Sequence, residues 1–130
     1  METSKEMLCN SIMHFEHQLW MGELAFWKDE LKFFKNRLSE IVTRWTNKEV
    51  LAQLEHYQNE FILHGGVIED LQETIEEHEN RIAAQSKMSR ELMDIQLAKR
   101  HMEFRDRLET QRHIYAELKK DFFKFLENYR

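Results

Sequence analysis

The residues of this chain best suited to chemistry are its histidines and a set of carboxylates at helical spacing. His14-x-x-His17 presents two imidazoles within one helical turn, and Glu16, Glu23 and Glu30 recur every seven residues beside them. His78 and His101 follow later in the chain, with Glu91 and Asp94 between them. Imidazole and carboxylate donors together suit zinc, iron, manganese or copper. A carboxylate on a neighbouring helix either completes such a site or orients a ligand histidine through its second ring nitrogen. The candidate metal ligands are therefore His14, His17, His78, His101, Glu23, Glu91 and Asp94, with Glu16 close by. The competing reading is that histidines beside glutamates make ordinary hydrogen bonds and ion pairs, since loose patterns of this kind match often without a metal.

Other chemistries have less behind them. Dimetal carboxylate bundles carry Glu-x-x-His on two helices, and this chain has no Glu-x-x-His. Its two His-x-x-x-Glu pairs, His56/Glu60 and His113/Glu117, lie off the apolar seams and read as surface pairs. Met7, Met13, Met21, Met88, Met93 and Met102 cluster toward the same end of the helices, with Cys9 nearby. Soft sulfur suits Cu(I) or haem, but methionine is also ordinary gap filling in helical cores. Covalent haem attachment lacks its Cys-x-x-Cys-His motif. Ser11 has no histidine–acid arrangement to activate it, and acid–base work by the Glu16/Glu23/Glu30 series needs a pocket. No cofactor other than a transition metal is expected.

Helices must position these groups. Proline is absent and glycine occurs only three times in 130 residues, which favours long helices, because proline costs about 3 kcal/mol and glycine about 1 kcal/mol in a helix interior. Apolar residues alternate at four and three in three runs, the heptad pattern of helices packed along a seam. The first is Trp20, Leu24, Trp27, Leu31, Phe34, Leu38, Ile41 and Trp45; the second is Val50, Leu54, Tyr57, Phe61, His64, Ile68, Leu71, Ile75, His78 and Ile82. The third is Leu97, His101, Phe104, Leu108, Gln111, Tyr115, Leu118, Phe122 and Phe125. Capping boxes at Thr3–Glu6 and Thr46–Glu49 open the first two helices, and Ser86 or Ser89 caps the third.

The expected fold class is all-α: one domain over residues 1–130, built as an antiparallel bundle of three long helices at about 4–45, 47–83 and 87–128. Gly65-Gly66 reads as a kink or a close helix contact, and Gly22 as a place where helix 1 could break. Turns near 46 and 85 set the register by equal rise along each helix. Residue i of helix 1 then lies level with about i + 77 of helix 3, and numbers paired between helices 1 and 2 sum to about 92. His17 would lie level with Ile75, His101 level with Glu23–Leu24, and His64 beside Asp29 and Asp106, bonded to an aspartate.

Helix 1 also carries more apolar surface than one seam uses. Ile12, Phe15, Leu19, Phe26 and Phe33 form a second stripe, matched on helix 3 by Met88, Ile95 and Met102. Large exposed apolar patches mark interfaces, so these eight residues are the expected contact for pairing into a larger helical dimer, or with another helical protein. Acidic residues outnumber basic ones, 24 to 19, and both are interspersed. There is no basic stripe to displace counterions from phosphates, so nucleic acid is not an expected partner. No apolar run approaches the ~20 residues of a membrane span, and the charged start of the chain is unlike a secretion signal. The single cysteine fits a reducing, cytoplasmic setting. The functional expectation is a non-catalytic, homodimeric interaction bundle; the alternative is a metal-binding bundle with His/Glu ligands near the N-terminal half of helix 1.

Overall fold

The computed structural model describes residues 10–88 and 95–129, apart from the side chains of residues 86–88. The chain is an all-helical bundle. Helix α1 spans Asn10–Val42, α2 Lys48–Met88 and α3 Ile95–Asn128, and no strand occurs among the described residues. The caps expected at Thr3–Glu6 and at Ser86 or Ser89 lie outside what is described.

The first connection is short because both flanking ends satisfy their own backbone groups. After α1, the Arg44 amide donates to the Ile41 carbonyl at 2.9 Å, and the Thr43 hydroxyl donates to the Glu40 carbonyl at 2.8 Å. Asn47 then caps α2: its Oδ1 accepts the amides of Glu49 at 2.8 Å and Val50 at 3.3 Å. The cap is thus Asn47 and not Thr46, since a side-chain oxygen one residue before the first helical position is the one that reaches the second and third amides.

The three apolar runs are buried along nearly their whole length. The main core joins Trp20, Leu24, Trp27, Leu31, Leu38 and Ile41 of α1 to Val50, Leu54, Phe61, Ile68, Leu71 and Ile75 of α2. From α3 come Phe104, Leu108, Tyr115, Leu118, Phe122 and Phe125. Fully burying one such side chain stabilises the fold by about 1.5–3 kcal/mol. Partner numbers in α2 fall as those in α1 rise: Asn10 meets Gln85, Lys28 meets Glu69 and Phe34 meets Phe61. Between α1 and α3 a ladder runs at a constant separation of 89: Glu16 with Arg105, Glu23 with Arg112, and Glu30 with Lys119.

Two expectations are corrected here. The offset between α1 and α3 is 85–89 and not 77, because α2 continues to Met88 instead of ending near residue 83. Extra residues at the end of α2 are removed from the start of α3, so each residue of displacement moves the offset by two. The glycines neither break a helix nor mark a close contact. Both α1 and α2 run through them, and a Cβ at Gly22, Gly65 or Gly66 would meet nothing within 4 Å. Their cost of about 1 kcal/mol each is absorbed by buried neighbours such as Phe61, His64 and Ile68.

Candidate metal centre

Each helix contributes one histidine to a single buried layer. His17 of α1, His78 of α2 and His101 of α3 are 2%, 3% and 0% exposed, and each offers a donor nitrogen within 4.8 Å of the others. Their positions follow from the seam: His17 lies three residues before Trp20, His78 three after Ile75 and His101 three before Phe104. The ring centroids of His17 lie 5.0 Å from both His78 and His101, and those of His78 and His101 are 5.6 Å apart. The Trp20 indole stacks on His101 at 4.8 Å, and Phe104 meets His78 edge-on at 5.2 Å.

Hydrogen bonds fix which nitrogen of each ring faces which way. His78 Nε2 lies 2.9 Å from the Leu97 carbonyl; a carbonyl only accepts, so Nε2 carries the proton and Nδ1 is left with its lone pair. His17 Nδ1 lies 2.7 Å from Glu79 Oε1, and His101 Nε2 lies 2.8 Å from Glu16 Oε1. Both nitrogens donate to carboxylates, which leaves Nδ1 of His101 as a lone pair. His17 Nε2 and His78 Nδ1 lie at hydrogen-bond distance from each other, 3.0 Å, with His78 Nδ1 as the acceptor. His101 Nδ1 is buried without a hydrogen-bond partner among the described residues. Buried polar atoms left this way are rare.

The carboxylates are themselves anchored. Arg105 grips Glu16 with Nε at 3.0 Å from both oxygens and Nη2 at 2.6 Å from Oε1. Glu79 accepts from His17 through one oxygen and from the half-exposed His14 through the other. Burial pushes both carboxyls up, but hydrogen bonds from Arg105 and His101 to Glu16, and from His17 and His14 to Glu79, outweigh it and hold both below the ordinary range. Burial lowers His101 to about 4 despite its bond to Glu16. It also lowers His78 despite the Leu97 carbonyl. Both rings are therefore neutral near pH 7, the state in which imidazole binds a metal.

This donor set can hold one ion. Metal–nitrogen bonds of about 2.0–2.1 Å at tetrahedral angles set donor nitrogens about 3.3 Å apart, within the span found here. Three imidazoles with no thiolate suit zinc, copper, iron or nickel rather than magnesium or calcium. The outer contacts to Glu79, Leu97 and Glu16 are the kind that orient ligand histidines.

Of the residues singled out in the sequence, the structure brings together His17, His78 and His101. His14 sits at the rim, held by Glu79. Glu23 is turned to Arg112, at 2.6 and 2.8 Å, and is not in the layer. Glu91 and Asp94 lie outside the described residues. Glu79 was missed: with a register sum of 92 it faced no histidine, whereas His17 in fact meets His78. His64 is bonded to no aspartate. Its Nδ1 accepts from Gln111 Nε2 at 2.9 Å, and its Nε2 lies 3.5 Å from Glu60. Glu30 is engaged by Lys119 and by the Tyr115 hydroxyl at 3.0 Å, and burial together with that carboxylate pushes the phenol of Tyr115 up. The Glu16/Glu23/Glu30 series is thus occupied by ion pairs.

The second apolar stripe faces outward. Phe15, Leu19 and Phe26 are more than half exposed, Phe33 is 74% exposed, and Ile95 and Met102 are exposed on α3. Ile12 is half-buried, and the side chain of Met88 lies outside what is described. Met13 is fully buried and Met21 packs against the core, as filling methionines do. No helix among the described residues is long and apolar enough to cross a membrane. Comparison of the chain with protein-family models, with curated proteins and with solved structures finds no match.

Proposed function

We propose that this chain is a transition-metal-binding bundle of three antiparallel helices, with the ion held by His17 Nε2, His78 Nδ1 and His101 Nδ1. The observation that carries the reading is a buried triad of histidine nitrogens, one from each helix, one of them without a hydrogen-bond partner among the described residues. A layer built only for packing would not leave a ring nitrogen bare, since an unsatisfied buried acceptor costs about 1–3 kcal/mol. An ion such as zinc satisfies all three nitrogens at once. The outer carboxylates and the Leu97 carbonyl already favour the tautomers this requires.

Native mass spectrometry of the untagged chain, purified without chelator and then offered zinc, tests this. One ion per chain is expected, lost on His101→Ala with helicity retained. A chain that stays metal-free when offered zinc, copper, iron and manganese would sink the reading.

A second reading, self-association through the outer face of α1, is favoured by the exposed run Phe15, Leu19, Phe26 and Phe33. Light scattering of wild type against Leu19→Glu/Phe26→Glu tests it. A dimer that becomes a monomer is expected, and an unchanged mass in the variant rules this face out.

A further inference from the structure

The histidine layer has two faces along the bundle axis, and they are closed by different chemistry. Toward the main core, Trp20 stacks on His101 at 4.8 Å and lies 5.7 Å from His17, and Phe104 meets His78 edge-on at 5.2 Å. Neither ring has a lone pair to offer an ion, because phenylalanine carries no heteroatom and the indole nitrogen only donates. On the other face lies a buried cluster of Met13, Ile82 and Ala98. Each comes from a different helix and sits one turn from a histidine. Met13 precedes His17 by four residues, Ile82 follows His78 by four and Ala98 precedes His101 by three. Residues three and four apart share a helix face, so these three side chains form the next layer along the axis.

We propose that Met13 Sδ is a fourth ligand beside the histidine triad, and that the ion this layer takes is Cu(I). The proposal rests on the metal-binding reading above. Met13 is 1% exposed, and of the three side chains in its layer it alone carries a lone pair, on sulfur. Its side chain is unbranched, with three rotatable bonds and a polarizable thioether. α3 contributes only the methyl group of Ala98 to that layer, so the longest of the three side chains is the one that bears the donor. Charge and softness then select the ion. Three imidazoles in their neutral, metal-binding form and a thioether bring no negative charge, and the cost of burying an ion rises with the square of its charge. The carboxylates bonded to the layer are already shared: Glu16 with Arg105, and Glu79 with His14. A monovalent ion therefore suits the layer better than a divalent one. Thioether sulfur suits Cu(I), whereas zinc completes its tetrahedron with cysteine, histidine, carboxylate or water.

Anaerobic titration of Cu(I) into the full chain, in competition with the chelator bicinchoninate, compares wild type with Met13→Leu. Leucine conserves volume at a core methionine, so the triad stays in place. Cu(I) affinity is expected to fall by about tenfold or more in the variant. Zinc affinity, read by competition with its own chelator, is expected to change by less than about twofold. Met21→Leu, which alters a methionine packed on the main core, leaves both affinities unchanged. X-ray absorption at the copper edge of the Cu(I)-loaded protein is expected to show a sulfur neighbour in wild type and none in Met13→Leu. A nitrogen-only shell in wild type overturns the thioether ligand and leaves the triad standing. So does an unchanged Cu(I) affinity in Met13→Leu, or an equal weakening of Cu(I) and zinc, which marks Met13 as packing alone. Zinc bound more tightly than Cu(I) by wild type overturns the assignment of the ion. A chain that binds neither ion overturns the metal-binding reading as well.

Discussion

Among the described residues two polar layers interrupt the apolar interior, and they are built differently. At His64 the seam histidine is closed off: Gln111 donates to Nδ1, and Nε2 points to Glu60. Donors and acceptors match, and the layer needs nothing further. At His17, His78 and His101 they do not match, because every outward nitrogen is committed as a donor and His101 Nδ1 is left inside without a partner among the described residues. Both layers are buried and both place histidine at seam positions. What separates a packing histidine from a candidate ligand is thus the direction of the protons around it.

That contrast can be broken most decisively by metal affinity. His78→Ala is expected to weaken zinc binding by more than about 100-fold, beyond the range for outer-contact mutations, whereas His64→Ala leaves it unchanged; competitive titration against a chelator reads both. Acid should separate the layers next. His101 is lowered to about 4 when folded, against about 6.5 unfolded. The unfolded chain therefore binds the proton first, and stability is full above about pH 6.5 and falls as pH drops from there toward 4. The loss is on the order of 2–3 kcal/mol in metal-free protein, measured by urea unfolding across pH; His101→Leu should flatten that slope. Glu79→Gln, which weakens the acceptor for His17 Nδ1 while keeping its shape, is expected to lower zinc affinity by about 10- to 100-fold. Gln111→Ala strips the closed layer of its donor and should cost about 1–3 kcal/mol in urea unfolding, with zinc affinity untouched. The smallest effect belongs to neither layer: Gly66→Ala meets no neighbour and should stabilise α2 by about 0.5–1 kcal/mol.

Much of this arrangement was legible in the residues, and the part that was not has one main cause. The seams are read from periodicity, because a helix facing a core repeats its apolar residues at four and three. Trp20 to Ile41 and Phe104 to Phe125 are buried accordingly, with Phe34 only partly so. The second turn carries no glycine or proline, so nothing in Ser86 to Asp94 marks where α2 stops. Placing that turn too early shifted α3 against α1 and set His101 beside Glu23 instead of Glu16. Glu79 was hidden by the α1–α2 register instead: a sum of 92 set it opposite Met13, whereas the observed pairs His17–His78 and Asn10–Gln85 sum to 95. His17, His78 and His101 could each be picked out because each sits on its own seam, whereas their mutual approach depended on register. The doubled glycine at 65–66 misled in another way: composition suggested a contact, and no atom of this chain lies close enough to require one.

The Trp20 indole lies 4.8 Å from the His101 ring and nearly parallel to it. The chain thereby carries its own optical reporter at the layer. An ion with a partly filled d shell, such as Cu(II) or Co(II), would quench the emission of Trp20 at this range, whereas zinc, with a closed shell, would leave its intensity close to the starting value. Trp27 and Trp45 lie further along α1 and beyond its end, so a Trp20→Phe variant would isolate their emission as the background. Fluorescence lifetimes recorded during a titration would then follow filling of the layer without any label.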